Sequence, residues 1–542
     1  MGDLTFSDHT FAGLIGNRAQ SSPDLDVLTI DGGGQRPDDV RTYRQLWDLG
    51  RQLAAGMRRL GVQQGDLIGV LMANHAEFVE TMVAAGLLGA VFVPIDPRTR
   101  GDKLAYMLEA ARCSGVIAAD YALPNLAEVR ARLPQLKWVA ALPTDEGGAT
   151  SSQLVSQNVV PYADLLDTHP HGVESLQPAA VQPESTMQLI YTSGTTGDPK
   201  GIVMTHKRYC ETAMVAARLF GYRSDDRPYS GLSLTHANAQ LVTLGASLAA
   251  GMRCVMSRRF TKSRLWDITR RHGCTSFSLL GGMTTAVYAE PPRPDDAGNP
   301  VRFVVSAGMP QAIWSDFERR FGVQILEFYG SAEGGLTVKP IGAGPPGSIG
   351  KPVPTLRHRI VDDEGADVAR GQPGELLLRP ADGSAFQVEY FGNPQASAKK
   401  TEGGWLRMGD VVTEDAGGWL FFQYRKGGGI RCNGDFIDPA FVEKAIAESP
   451  EVDDVYVYGV PARSGVPGEK DPVAAVVPKD AASFDAQSLF SDCRARLQAN
   501  FVPRYIQVLP QIPKTASEKP QERFLIEAFE AQPERVFTER RA

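Results

Sequence analysis

The run Tyr191–His206, YTSGTTGDPKGIVMTH, gathers hydroxyls, glycines and one lysine into a loop suited to wrapping phosphate oxygens. Gly194 and Gly197 let the backbone take positive φ, so successive N–H groups can converge on an anion. Thr192, Ser193, Thr195 and Thr196 add hydroxyl donors, and Lys200 supplies a mobile point charge. A Walker loop needs Ser or Thr directly after its lysine at a helix start. Here Pro199 precedes the lysine and Gly201 follows it, so a different nucleotide grip is implied. On this segment alone, a flexible Gly/Thr surface loop between two strands stays open as the alternative.

Working outward, the chain alternates strand and helix. Tyr43 to Leu60 reads as an amphipathic helix, and DLIGVLM from Asp66 as a buried strand entering a helix at Ala76 to Leu88. FVPID follows as a strand. The alternation recurs through VRFVVSA (Val301 to Ala307), a helix at Gln311 to Phe321, and VQILEFYG. It predicts a parallel sheet with helices on both faces. From Ser348 the texture changes to short strands with Gly/Pro/Asp turns, as in LRHRIVDDEG and GELLLRP, which predicts a small β-rich subdomain over about 348–425. Beyond Arg425 come three glycines, a helix near Ala440 to Glu448, strands VDDVYVYGV and PVAAVVP, and a helix near Ala486 to Ala499. The expected fold is thus α/β: a large N-terminal domain over 1–425 and a small mobile α+β C-terminal domain over 426–542, with Gly427 to Gly429 as the candidate hinge.

Gross properties set limits. The 542 residues are too many for one ordinary core, and 43% hydrophobic residues suffice to fill several. A net charge of −7 argues against nucleic acid or an anionic membrane as the main partner. Cys113, Cys210, Cys254, Cys274, Cys432 and Cys493 form no CxxC pair, so neither a zinc site nor a disulfide framework is suggested. No signal segment opens the chain and no apolar run approaches bilayer length, so a soluble, cytoplasmic protein without a membrane span is expected.

Further runs occur in a fixed order around the first. TYRQL begins at Thr42 and GAVFVPIDP at Gly89; SAGMP spans Ser306 to Pro310 and FYGSAEG Phe328 to Gly334. GQPGELLLR (Gly371 to Arg379), GWLRMGDVV (Gly404 to Val412), YRKGGGIRCNGDFIDPAFVE from Tyr424 and PKTASEKPQER from Pro513 complete the series. Together they resemble the motifs of the adenylate-forming superfamily, which holds acyl-CoA synthetases, luciferases and the adenylation domains of peptide synthetases. The resemblance covers nearly the whole chain.

It implies ATP-dependent activation of a carboxylic acid to an acyl-adenylate with release of pyrophosphate, then transfer to CoA. ATP, Mg²⁺ and CoA are the implied cofactors, the acid and CoA the partners, and a homodimer is left open. By resemblance, the 192–200 loop holds the β- and γ-phosphates and Glu333 helps hold Mg²⁺. Asp410 accepts from the ribose hydroxyls and Arg425 reaches the same sugar. Tyr329 stacks on adenine beside Gly308, Met309 and Pro310, in the nucleotide-binding run of Glu327, Phe328, Tyr329, Gly330, Ser331 and Ala332. Lys519 matches the terminal-domain lysine that bridges carboxylate and α-phosphate; as an isolated residue it reads as a solvated charge in a polar tail. His236 matches an aromatic gate beside the acyl site, with a structural role as the alternative.

Departures from the family pattern bear on these roles. Ala332 stands where Thr is usual, Glu518 where Gly is common, and Gly428 where the hinge has Asp or Lys. Asn433 replaces the first of two glycines, beside Gly434, in the loop that lines the family's pantetheine tunnel, and a side chain there narrows that route unless it points away. The pocket wall, matched at Gly231, Ala237, Ala239, Gly281, Gly282, Gly334 and Gly335, consists of small residues and is expected to leave space for a large or branched acid. The main expectation is a two-step acid:CoA ligase. Two rivals remain at this point: an adenylating enzyme that passes acyl-AMP to a carrier or partner enzyme, and a non-catalytic adenylate-binding relative.

Overall fold

Strand and helix alternate as the pattern predicts, but they build two large sheets rather than one. The structure is a computed structural model that describes residues 9–166, 176, 178–192, 199–426, 430–432, 435–437, 439–463, 470–497, 501–515 and 518–539.

A seven-stranded sheet runs in the order Val160–Pro161, Trp138–Leu142, Gly115–Ala119, Leu67–Leu71, Val91–Pro94, Thr186–Thr192, Lys200–Thr205. All its pairings are parallel except the last. A nine-stranded sheet centres on Pro228–Ser230, Cys254–Ser257, Ser276–Leu280, Phe303–Ala307 and Gln324–Ser331, all parallel, with antiparallel strands at both edges. The strands are apolar on both faces, as parallel strands covered by helices must be. Helix Ala76–Leu88 explains why. Twelve of its residues are buried, leaving no solvent face. Val79 and Val83 of this helix share one core with Ile68, Val70 and Phe92 of the first sheet and with Leu28, Val255 and Phe277 of the second.

The antiparallel pairing of Thr186–Thr192 and Lys200–Thr205 sets Thr192 opposite Lys200, so the phosphate-loop sequence lies between two paired strands. Ser193 to Gly197 lie outside the described residues, as do Gly427 to Gly429, Asn433 and Gly434.

The β-rich subdomain is a four-stranded antiparallel sheet of Leu356–Val361, Gly374–Pro380, Leu406–Glu414 and Leu420–Arg425 around Ile360, Leu376, Leu378, Leu406 and Leu420. The terminal region carries a second four-stranded sheet, Val452–Pro461, Lys470–Pro478, Tyr505–Val508 and Val536–Thr538. Helices Pro439–Ala447 and Ala486–Arg496 pack on one face. The second of these ends before the expected Ala499, because Leu497 is already extended. Likewise the expected helix from Gln311 opens with a 3₁₀ turn and is α-helical only over Trp314–Phe321. Among the described residues, no helix is long and apolar enough to cross a membrane, and all six cysteines are buried, with no disulfide between them.

Candidate active site

The cleft between the large domain, the β-rich subdomain and the terminal domain collects most of the singled-out residues. One pole is set by strand register. Asp410 and Arg425 are direct partners on adjacent antiparallel strands. Their charges stand 3.6 Å apart at Arg425 Nη1 and Asp410 Oδ1. Tyr329, near the end of Gln324–Ser331, donates its hydroxyl to Asp410 Oδ2 at 2.5 Å. Burial and the neighbouring Asp410 carboxylate hold the Tyr329 phenol well above its ordinary pKa, so it stays a donor. A carboxylate fixed by one donor and one cation keeps lone pairs for a diol.

Beside this pole, buried Glu327 accepts from the Met309 amide at 3.2 Å and from the Gly308 amide. Burial pushes its carboxyl up to about 7 against those bonds. Gly308 has φ +101, a conformation that only glycine adopts freely. Sequence reading placed Glu327 in the nucleotide run; the backbone amides it accepts from belong to the loop that follows Phe303–Ala307.

The second pole is the hairpin turn between Gln324–Ser331 and Gly334–Lys339, where Ser331 pairs with Gly334 across an irregular register. Ala332 and Glu333 form that turn. The Arg208 guanidinium donates to the Ala332 carbonyl at 2.6 Å. Tyr390 donates to Glu333 Oε1 at 2.8 Å. Burial raises the Glu333 carboxyl, but Lys400 and the Tyr390 hydroxyl outweigh it, and the net result lies below the ordinary glutamate value. Glu333 is therefore held ionised while 8% exposed. An ionised, partly shielded carboxylate is an oxygen donor of the kind a hard divalent cation takes. Lys200 places its ammonium 5.5 Å from the centre of the Tyr390 ring. The end of the phosphate loop, Tyr390 and Glu333 are thus contiguous.

The third pole is the loop after Pro228–Ser230. Asn74 clamps it: Nδ2 donates to the Leu232 and Ser257 carbonyls, each at 2.8 Å, and Oδ1 accepts from the Leu234 amide at 2.7 Å. Gln240, in the π-helix Ala239–Gly245, donates to the Leu234 carbonyl at 2.7 Å. Within the loop His236 Nδ1 accepts from the Asn238 amide at 3.2 Å, which leaves the proton on Nε2. Burial, and then the charge of Lys519, hold the His236 pKa down to about 3. The imidazole is neutral.

That influence of Lys519 carries a larger meaning, because the lysine belongs to the terminal domain. Its ammonium lies among Arg425, Asp410, Glu333 and His236; burial and Arg425 lower its pKa against the pull of the two carboxylates. As a whole residue the lysine nonetheless remains exposed to solvent. Its loop is a tight reversal: the Thr515 amide donates to the Lys519 carbonyl at 2.8 Å, and the Lys519 amide to Thr515 Oγ1 at 3.2 Å. Glu518 takes φ +59 in that reversal, the conformation the family's glycine would take without strain.

The expected pocket wall needs correction. A Cβ at Gly231 would stand 2.9 Å from Phe260 Cα, at Gly281 2.9 Å from the Gly308 carbonyl, and at Gly334 and Gly335 2.7 Å from Phe386 and Leu378. Close packing sets these glycines. Gly282 alone of the five has open space where a side chain would project. Ala237 is partly buried in the same loop as His236, whereas Ala239 is fully buried in the core.

Lys400, Tyr390 and Arg208 were not legible as site residues. Lys400 reads as the basic last turn of a short surface helix, Pro394–Lys400. Only the docking of that segment on Lys200–Thr205 brings it inward: the Val203 amide donates to the Glu389 carbonyl at 2.9 Å and the Phe391 amide to the Gly201 carbonyl at 2.8 Å.

Comparison with known proteins agrees with this geometry. Residues 17–383 match the family model "AMP-binding enzyme", and residues 442–519 match "AMP-binding enzyme C-terminal domain". The medium/long-chain-fatty-acid–CoA ligase FadD17 of Mycobacterium marinum is 30% identical over 477 residues, covering 87% of this chain and 88% of the relative. The crotonobetaine/carnitine–CoA ligase of Salmonella typhimurium is 25% identical over 475 residues, covering 85% of this chain and 88% of the relative. Among solved structures, the anthranilate CoA ligase AuaEII in complex with anthranoyl-AMP superposes with a TM-score of 0.82 at 25% identity, covering 98% of this chain and 99% of that one.

Proposed function

Because the chain belongs to the AMP-binding enzyme family, with the main and C-terminal domains matched in order, we propose that this cleft activates a carboxylic acid with ATP and passes the acyl group to CoA. The protein is an AMP-forming acid:CoA ligase. The observation that carries the site reading is the convergence of Lys519, from the terminal domain, on Asp410, Arg425, Glu333 and His236 of the large one.

In the first half-reaction a carboxylate oxygen attacks the α-phosphorus of ATP, the α–β bridging oxygen leaves with pyrophosphate, and acyl-AMP results. Both reactants are anions, so the residues act by holding and neutralising them rather than by moving a proton. Asp410 holds the ribose diol, with Arg425 beside it. Lys519 lies where the carboxylate meets the α-phosphate and stabilises the charge gathering there. Glu333 would hold Mg²⁺, which supplies positive charge to the departing pyrophosphate oxygens. Lys200 and the hydroxyl-rich loop from Thr192 to Gly197 serve the same end of the nucleotide. Neutral His236 borders the acyl group without adding charge to it. In the second half-reaction CoA gives its thiol proton to solvent, the resulting thiolate attacks the acyl carbon, and AMP leaves with the bridging oxygen.

The acyl group is proposed to be uncharged where it meets His236, Ala237 and Gly282. A reducing cytoplasm is the proposed compartment, supported by six buried cysteines that form no disulfide. A panel of aliphatic and aromatic carboxylic acids, assayed for AMP release from ATP with and without CoA, tests the reading. Acid-dependent AMP release that multiplies on adding CoA, with acyl-CoA as product, is the expected result. Acid-dependent pyrophosphate exchange that ignores CoA would leave only the first half-reaction standing.

A further inference from the structure

The charge balance of the cleft leaves one cation without an assigned task. Lys400 is half-buried at the end of Pro394–Lys400. Among the described residues its ammonium makes no hydrogen bond or ion pair of its own; its electrostatic neighbours are Glu333, Arg425, Asp410 and, after them, Glu375. Glu375 is already taken by Arg407 at 2.6 Å and Lys426 at 3.1 Å. Asp410 has Arg425 and Tyr329, and Glu333 has Tyr390. Lys400 therefore adds a positive charge between the two poles without closing a salt bridge.

The placement is built rather than accidental. The helix carrying Lys400 is capped by Asn393, whose side chain accepts from the Ala396 amide at 3.0 Å. It is also tied to Tyr390, whose amide donates to Ser397 Oγ at 2.9 Å. Tyr390 bridges to Ile202 next to the phosphate loop and touches Glu333.

We propose that Lys400 is a phosphate-binding residue of the large domain, contacting the α-phosphate of ATP and then the phosphate of acyl-AMP. The inference rests on the nucleotide reading of the cleft given above. Lys400 supplies from the side-chain direction the contact that Ala332, with no hydroxyl, cannot make. It also divides labour with Lys519. A terminal-domain lysine serves only the arrangement in which that domain is docked, whereas Lys400 stays with the nucleotide through both half-reactions.

The test is calorimetric titration of the full-length protein with AMP and with adenosine, for wild type, Lys400→Met and Lys400→Arg. The methionine variant is expected to bind AMP at least tenfold more weakly while binding adenosine as wild type does; the arginine variant should recover most of the loss. A merely structural role would weaken both ligands together, and that result overturns the proposal. Equal AMP affinity in wild type and Lys400→Met overturns it too. If Asp410→Ala leaves adenosine binding intact, the nucleotide reading itself fails, which is distinguishable. Amine-reactive labelling of the wild type, read by mass spectrometry, is independent of how the variants fold: AMP should shield Lys400 and adenosine should not, and labelling unaffected by AMP counts against the assignment.

Discussion

At the scale of single residues, Lys519 is the sharpest point of leverage. The role proposed for it is confined to the docked arrangement, so Lys519→Ala should cripple adenylation by on the order of a hundredfold or more, about 3 kcal/mol of transition-state stabilisation. Conversion of supplied acyl-AMP to thioester should persist. Single-turnover assays of the two halves check this; equal losses would argue against separate arrangements. The pH sign follows from the lowered pKa. The ammonium is lost as pH rises through a value below the ordinary lysine figure, so adenylation should fall on the alkaline side earlier than a free lysine would dictate. That limb should vanish from the residual activity of Lys519→Ala. His236, with a pKa of about 3, contributes no limb between pH 5 and 8. Glu327 gives a second pH effect, this time on stability. Its pKa is raised from 4.5 to about 7, so the folded state holds the proton more tightly than the unfolded one. Stability should fall as pH rises from 4.5 to 7 and be level above that, by on the order of 3 kcal/mol. Glu327→Gln removes the titration; melting temperatures of the two proteins should diverge in favour of the variant between pH 5 and 8, and parallel curves would refute the assignment.

At the scale of elements, legibility followed the physics. Ala76–Leu88 was legible as a helix around those residues, because an apolar run of helical length that ends on a left-handed glycine reads as a buried helix. Asp410 and Arg425 were readable from motif, and strand register then made them partners. What could not be read was which sheet a strand joins: Cys254–Ser257 and Leu67–Leu71 have the same apolar texture but belong to different sheets, since pairing is decided by long-range crossovers rather than by local composition. Nor does a motif reveal whether a glycine leaves room or avoids a clash. Gly282 does the first and Gly281 the second. Tyr390 was invisible for the same reason as Lys400, since its function depends on a segment docking from afar. Removing its hydroxyl in Tyr390→Phe takes from Glu333 the hydrogen bond that helps keep it ionised. Loss of one such charged hydrogen bond is worth about 1.5–3 kcal/mol. The Mg²⁺ concentration for half-maximal adenylation should therefore rise roughly tenfold, with melting temperature little changed. An unaltered Mg²⁺ dependence would show that Glu333 is not the metal ligand.

At the scale of the whole molecule, a charge pair among the described residues links the terminal domain to the large one. Lys262 of the large domain pairs with Asp453 of the terminal sheet at 2.9 Å, and also reaches Glu290 at 3.5 Å. Arg98 lies near enough to Glu518, beside Lys519, for each to bias the other's charge. The Lys262–Asp453 pair is part-exposed, so water screens it. Lys262 and Asp453 keep 33% and 47% of their side-chain surfaces exposed, and such pairs contribute up to about 1 kcal/mol. That is too little to stabilise the fold, but a two-position equilibrium is sensitive to it, since 1 kcal/mol shifts a population ratio roughly fivefold. Lys262→Ala should therefore lower the docked population and slow adenylation up to about fivefold, while thioester formation from supplied acyl-AMP holds or gains. Added salt should reproduce the effect in the wild type and do less in the variant, because screening and deletion remove the same attraction. The ratio of the two half-reaction rates, measured across a salt series for both proteins, separates the cases. A ratio that stays constant in both would mean that this ion pair does not set the domain balance.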